Sequence, residues 1–232
     1  MKTTILFGGT GRERLVAVAS AKAISATLPD ADLWFWNADG TVSAASFTAL
    51  QAHERPFELA FAADSAAIGS IERALDKAAV EDRVLVLALH GGSAENGEFQ
   101  VLAEARGVPF TGSGSASSHL AFDKVSAKLF AGLAGVYSPS TVMLDEADEA
   151  LSHYGKLIAK PAAEGSSYGL IYVNSTQDIA AVRRESASMT YLIELFITGP
   201  EATCGVLEQA DGSVIALPPV EIVPGRFPVS ST

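Results

Sequence analysis

Cysteines, basic residues and long apolar runs are all scarce in this sequence. Its one cysteine, Cys204, excludes an internal disulfide and is typical of a reducing compartment. There are 16 Lys and Arg against 27 Asp and Glu, and the net charge of -11 leaves no basic stripe for nucleic acid or an anionic membrane surface. Apolar runs such as 84–89 are too short to span a bilayer, and the short run 5–7 forms no signal-peptide core. We therefore expect a soluble, cytoplasmic protein that binds neither nucleic acid nor membrane, with Cys204 buried in the apolar run 202–207.

Apolar residues are plentiful, at 48% of the chain, which is enough for a substantial core. Strand-like runs at 3–7, 33–36 and 84–89 alternate with segments of helical spacing, and 57–61 is a further candidate strand. This alternation predicts an α/β fold with an open, mostly parallel sheet. Ligands of such sheets gather where the strands end, so the loops after residues 7 and 89 are candidate site loops.

The loop Lys160-Pro-Ala-Ala-Glu-Gly-Ser-Ser-Tyr-Gly169 has the chemistry of an anion site. It joins two strand-like runs, its glycines allow a tight turn of backbone N–H groups, and Lys160 adds a positive charge. An ordinary exposed hairpin loop, which is also rich in Gly and Ser, has a similar composition. The loop does not have the spacing of the Gly-Lys-Ser/Thr phosphate loop.

Seven segments, in consistent order along the chain, resemble the D-alanine–D-alanine ligases of the ATP-grasp superfamily. They are FGGTGRER at 7–14, LHGGSAENGEFQ at 89–100, VPFTGSG at 108–114, DKVSAK at 123–128, the loop at 160–169 with IELFITGPE at 193–201, and PVEIVP at 219–224. The resemblance implies a Rossmann-like pre-ATP-grasp domain at 1–112, an ATP-grasp lid subdomain at 113–192 and the start of a C-terminal subdomain at 193–232. The family's remaining C-terminal part is expected to lie beyond Thr232.

The family's reaction is the ATP-dependent joining of two D-alanines through an acyl phosphate, in peptidoglycan precursor synthesis. The resemblance therefore implies D-alanine and ATP as substrates, Mg²⁺ as cofactor and a homodimer, because dimers are common among the relatives. Related ligases that make D-alanyl-D-lactate or D-alanyl-D-serine, and a truncated form that binds nucleotide without turnover, stay open as alternatives.

The resemblance also implies residue roles. Glu13 would receive the ammonium of the first D-alanine, Ser166 would link to Glu13, and His90, oriented by Glu95, would steady the substrate carboxylate. Lys124 and Lys160 would contact the ATP phosphates, residues 194–197 the adenine, and Glu201 the ribose. The full nucleotide set is Lys124, Lys160, Glu164, Gly165, Ser166, Ser167, Glu194, Leu195, Phe196, Ile197 and Glu201.

Several of these residues have simpler explanations. Glu13 would also suit the first turn of a helix, where the dipole stabilises a carboxylate. Lys124 could be a solvated helix lysine, His90 a hydrogen-bonded structural residue, and Glu201 an exposed turn carboxylate.

The sequence departs from the family pattern at several places. Tyr168 replaces a small apolar residue in the lid, and Asn96 replaces an aspartate. The family's magnesium ligands are expected beyond Thr232, so we predict no metal ligand in this chain. The residues that bind the second substrate are also expected beyond Thr232. Acceptor specificity and turnover by this chain therefore stay open.

Overall fold

A computed structural model describes residues 1–165 and 167–223. The strands are β1 (Lys2–Gly8), β2 (Asp32–Trp36), β3 (Thr41–Ala45), β4 (Ala67–Ser70), β5 (Arg83–Leu89), β6 (Thr141–Val142), β7 (Leu157–Pro161), β8 (Ile171–Val173), β9 (Tyr191–Leu195), β10 (Glu201–Thr203), β11 (Val206–Glu208), β12 (Val214–Ala216) and β13 (Val220–Ile222). The helices are α1 (Arg14–Thr27), α2 (Phe47–Ala52), α3 (Ile71–Val80), α4 (Glu98–Glu104), α5 (Ser115–Phe122), α6 (Lys124–Leu133), α7 (Ala147–Tyr154) and α8 (Thr176–Glu185).

The first sheet is open and has the order β4-β3-β2-β1-β5. The central strand β1 pairs in parallel with β2 and β5, as the alternation of strands and helices predicted. Successive side chains of a strand point to opposite faces, so Ile5 and Phe7 lie in the core beneath α1 while Leu6 lies in the core beneath α3. Both faces are covered, which explains the continuous apolar runs 5–7 of β1 and 84–89 of β5.

One edge of this sheet differs from the prediction. Residues 37–40 form a hairpin turn with Gly40 at φ +87°, so β3 runs antiparallel to β2, and β4 follows antiparallel to β3. The strand expected at 57–61 is wrong, because this segment is a turn followed by irregular chain. Its Phe61 is nevertheless buried, with its ring centroid 5.6 Å from that of Phe7 and 5.1 Å from that of Phe35. Aromatic burial, rather than pairing in the sheet, explains the apolar character of this segment.

The second sheet is antiparallel, with the order β6-β9-β7-β8. Helices α7 and α8 cover it through Ala147, Ile179 and Val182, which pack with Leu157 and Ile193 of the sheet. Strands β7 and β8 form a hairpin, so the loop between them joins two strands as predicted. The loop lies between the end of β7 and the start of β8, and this position brings it to the site described below.

Strands β10 to β13 form two small antiparallel pairs, β10 with β13 and β11 with β12. The apolar run 202–207 is divided between β10 and β11, which are separated by Cys204 and Gly205. All residues of these strands are exposed, and Cys204 is exposed too, so the expectation of a buried cysteine is wrong. In the part of the chain that the structure describes, no helix has both the length and the apolar character needed to cross a bilayer.

Candidate active site

Glu13 lies where three loops meet. Strand β1 ends at Gly8, whose φ of +96° turns the chain, and Glu13 directly precedes α1. A Cβ atom placed on Gly91, after β5, would be 2.0 Å from Glu13 Oε2, and one placed on Gly165 would be 3.1 Å away. The carboxylate therefore lies against the backbone of both other loops, which only residues without side chains allow.

His90, directly after β5, is held from two sides. Its Nε2 lies 2.8 Å from Ser20 Oγ on α1, and its Nδ1 lies 4.0 Å from Glu95 Oε1. Ser20 was not identified from the sequence, although it follows Glu13 by about two helical turns and so shares its face of α1. Ser20 therefore makes the closer contact with His90, and the orienting role of Glu95 stays a prediction.

The two lysines expected to bind phosphate face the same space. Lys124 begins α6, where its backbone N–H donates to Ala162 O at 2.8 Å and its Nζ to Glu164 O at 2.5 Å. The pKa of Lys124 is lowered, first by burial and then by the positive charge of Lys160. A positive charge lowers the pKa of a lysine only when the two ammonium groups lie close together. The two ammonium groups thus converge beside the loop after β7.

Glu194 is the most buried charged residue near the site, with a relative exposure of 1%. Its Oε1 lies 2.5 Å from Lys128 Nζ and its Oε2 2.5 Å from Lys160 Nζ. The carboxylate therefore faces two lysines. Lys128 also donates to Pro139 O at 2.5 Å and to Thr141 Oγ1 at 2.9 Å.

The residues after Glu194 are progressively more exposed. The ring of Phe196 lies 6.0 Å from that of Tyr172, and Lys156 Nζ lies 3.8 Å from the Phe196 centroid. Leu195 ends β9 half-buried, and Ile197 is 67% exposed. Glu201 is exposed at the start of β10. From Glu194 to Ile197 the chain thus passes from a buried carboxylate to an exposed, partly apolar edge.

The loop between β7 and β8, called the lid loop below, contacts the loop after β1 through Tyr168. The guanidinium carbon of Arg12 lies 3.8 Å from the centroid of the Tyr168 ring. Tyr191 Oη donates to Gly169 O at 2.8 Å, which ties the loop to β9. Ser167 is exposed, with φ +59°. The predicted catalytic residue Ser166 lies outside the described residues.

The described residues do not fit a magnesium ion. Among them, no group of three or more His, Cys, Asp or Glu side chains lies close enough together to hold a metal. Asp211, one of the last acidic residues, instead accepts a hydrogen bond from Ser213 N at 2.9 Å, and Glu221 is exposed on β13. We therefore assign no metal-dependent step to this chain.

Comparisons with known proteins agree with this architecture. Residues 2–113 match the family model described as D-ala D-ala ligase N-terminus, and residues 141–227 match the model described as D-ala D-ala ligase C-terminus. A D-alanine--D-alanine ligase from Syntrophotalea carbinolica is 32% identical over 228 residues, which is 96% of this chain and 63% of that protein. The chain belongs to the D-alanine–D-alanine ligase family.

Other members of the ligase family match this chain in sequence over a shorter stretch, or match it in fold. D-alanine--D-alanine ligase B from Pseudomonas putida is 41% identical over 147 residues, or 61% of this chain and 44% of that protein. The structure of the D-alanine-D-alanine ligase from Coxiella burnetii matches with a TM-score of 0.75 at 21% identity, over 96% of this chain and 71% of that one. That likeness shows the ATP-grasp fold. The chain spans less than two thirds of the length of either curated relative.

Proposed function

We propose that this chain provides the ATP-phosphate site and the first D-alanine site of an ADP-forming D-alanine–D-alanine ligase of peptidoglycan synthesis. One observation carries the proposal. Two lysine ammonium groups and one carboxylate, from three separate parts of the chain, converge at the same lid loop. Membership of the ligase family supports this chemistry.

The positive charges explain the nucleotide side of the site. Phosphoryl transfer depends mainly on neutralising charge and aligning the reacting oxygens. Lys124 and Lys160 would neutralise the polyphosphate. Its negative charge would in turn oppose the burial and the repulsion from Lys160 that lower the pKa of Lys124. Lid residues Glu164, Gly165, Ser166 and Ser167 would close over the phosphates, and ATP would supply the phosphoryl group that activates the first D-alanine.

The rest of the nucleotide would follow the exposed edge after β9. The adenine is proposed to lie against Leu195, Phe196, Ile197 and the backbone of Glu194, with Phe196 as its apolar wall, and the ribose against Glu201. The side chain of Glu194 is occupied by Lys128 and Lys160. The order of these residues along one edge, starting beside Lys160, supports this direction for the nucleotide.

The first D-alanine would lie against the N-terminal loops. The Glu13 carboxylate would pair with the substrate ammonium, which selects an amino acid over a simple acid. His90, held by Ser20 and near Glu95, is placed to donate to the substrate carboxylate as charge develops there. Ser166 would connect Glu13 to the substrate.

Binding and turnover by this chain test the proposal. Calorimetry should detect ATP binding and, in the presence of ATP, binding of D-alanine in preference to L-alanine. ADP and dipeptide would then be quantified by mass spectrometry with ATP, Mg²⁺ and D-alanine, D-serine or D-lactate. Failure to bind ATP, or equal binding of L-alanine, would contradict the proposal. Binding without dipeptide would support the nucleotide-binding form that does not turn over.

Location and assembly belong to the same proposal. We infer a cytoplasmic homodimer, in keeping with the ATP substrate and the family. Sedimentation equilibrium showing a monomer at micromolar concentration would contradict the dimer.

A further inference from the structure

The Glu194 carboxylate connects a lysine that can reach a ligand with one that cannot. Lys128 Nζ forms an ion pair with Glu194 Oε1, and Lys160 Nζ forms one with Oε2. The distance is 2.5 Å in both cases. The side chain of Glu194 is 1% exposed, so its charge must be compensated within the protein.

Lys128 has no donor left for a nucleotide. An ammonium group has three N–H donors, and those of Lys128 are matched by Glu194 Oε1, Pro139 O and Thr141 Oγ1. Its ammonium is thereby fixed to β9 and to the segment leading into β6. Lys128 acts through Glu194 and not by touching a ligand.

Lys160 is placed differently. Its one ion pair among the described residues is to Glu194 Oε2, and 29% of its side chain is exposed. It also lies near enough to Lys124 to lower the pKa of that lysine. Lys160 therefore has donors to offer to an anion between the two lysines.

The charges of the three groups decide how strongly that anion is attracted. Glu194 and Lys160 alone would form a neutral pair, and the positive charge of Lys160 would be compensated. With Lys128 included, the group of three carries one net positive charge beside Lys124. Because Glu194 is buried and both of its lysines are partly buried, this charge is less screened than at the surface.

We propose that Lys128 is a positioning residue for nucleotide binding: it occupies one oxygen of Glu194, so that Lys160 presents net positive charge to the polyphosphate. This inference rests on the proposed ATP site and adds to it a residue that does not touch the nucleotide. It assigns the Lys128–Glu194–Lys160 group to the phosphate end of the site.

The test compares ATP with adenosine, which has the same base and sugar but no phosphate. In Lys128→Met, the dissociation constant for ATP should rise about tenfold, as expected for one elementary charge several ångströms from the phosphates. The constant for adenosine should change less than about twofold. Lys128→Arg keeps the charge and should retain most of the ATP affinity. Lys77→Met, the same substitution at an exposed lysine on α3, should leave both constants unchanged.

The double variant Lys128→Met/Glu194→Gln separates charge from general structural damage. It restores the net positive charge of the group, so the preference for ATP over adenosine should return towards that of the unaltered protein. It also removes the buried charge, so it should fold even where Lys128→Met does not. Equal losses for ATP and adenosine in Lys128→Met, or no recovery in the double variant, would overturn the proposal.

A measurement without nucleotide keeps this inference separate from the proposed function. The rate at which acetic anhydride labels Lys160, followed by mass spectrometry, should fall in Lys128→Met, because the whole Glu194 carboxylate would then hold that amine. If the unaltered chain fails to bind ATP but this rate falls, the ATP site is wrong and the coupling of the two lysines stands. An unchanged labelling rate would contradict the coupling.

Discussion

The two sides of the candidate site are held in different ways. On the N-terminal side, Glu13 is fixed by close backbone approach, with Gly91 and Gly165 against its carboxylate. On the lid side, Lys160 is fixed by charge, through a carboxylate shared with Lys128. The first arrangement depends on the absence of two side chains, and the second on the presence of three. Each side should therefore fail under a different kind of substitution.

The two sides also differ in what lies beneath them. Strands β1 and β5, which carry the Glu13 and His90 loops, are buried on both faces by apolar side chains. Beneath the lysines, the second sheet contains a buried charge. Substitutions at the charged side should affect folding as well as binding, whereas those at the glycine side should affect mainly binding.

The largest effect is expected from Glu194→Leu. Removing one partner of a buried ion pair leaves uncompensated charge and costs about 3–5 kcal/mol, and the partial exposure of both lysines favours the lower end. The free energy of unfolding from urea denaturation measures this loss. Glu201→Leu changes a fully exposed carboxylate in the same way and should change stability by less than about 0.5 kcal/mol. Similar losses in the two variants would contradict the proposed importance of the buried group.

Gly91→Ala should have the next largest effect, on binding of D-alanine. The new Cβ would be 2.0 Å from Glu13 Oε2 and would displace the carboxylate, so D-alanine affinity should fall at least about tenfold. Gly92→Ala is the matched control. Gly92 also has a positive φ, of +51°, but a Cβ there would meet nothing within 4 Å. Both variants should lose about 1 kcal/mol of stability from backbone strain. Equal D-alanine affinities in Gly91→Ala and Gly92→Ala would contradict the role proposed for Glu13.

A smaller effect is expected from Arg12→Ala, which removes the contact between the guanidinium and Tyr168. Exposed contacts of this kind contribute about 0.5–1 kcal/mol, so the lid loop should open about two to five times more often. The rate of limited proteolysis within residues 162–170 would report this opening. Tyr168→Phe keeps the aromatic ring, so its proteolysis rate should match that of the unaltered protein. If Arg12→Ala is also cleaved at the rate of the unaltered protein, the contact does not hold the loop.

The smallest effect concerns acid stability away from the site. Hydrogen bonds from Lys77 and then Arg83 lower the pKa of Glu81 from 4.5 to about 2. A carboxyl group whose pKa is lowered by folding stabilises the protein above its unfolded pKa, and this contribution is lost as pH falls from about 4.5 towards 2. In Glu81→Gln, urea midpoints should therefore depend less on pH in this window. An identical pH dependence in both proteins would be the contrary result.

The sequence predicted the elements whose pattern is local. The apolar runs of β1 and β5 and the hairpin around the lid loop were found because their periodicity and glycines are visible without tertiary information. The antiparallel edge β3–β4 was missed, because residues 37–40 end a strand in any sheet and only the course of the chain afterwards makes them a hairpin. The exposure of Cys204 was missed because an apolar run does not reveal what covers it.

The site was predicted in part through family resemblance. It suggested Glu13, Lys124 and Lys160, which the structure brings to one loop. It assigned no role to Lys128 or Ser20, whose side-chain partners are 66 and 70 residues away in sequence. Long-range pairs of this kind have no local signature.

The most direct test of the account is an NMR titration of Lys124 with and without ATP. The pKa of Lys124 is lowered in the free protein by burial and by Lys160. A polyphosphate lying between the two lysines would raise the pKa of Lys124, because an adjacent negative charge favours the ammonium form. A pKa of Lys124 that stays the same while ATP is bound would show that the phosphates lie elsewhere.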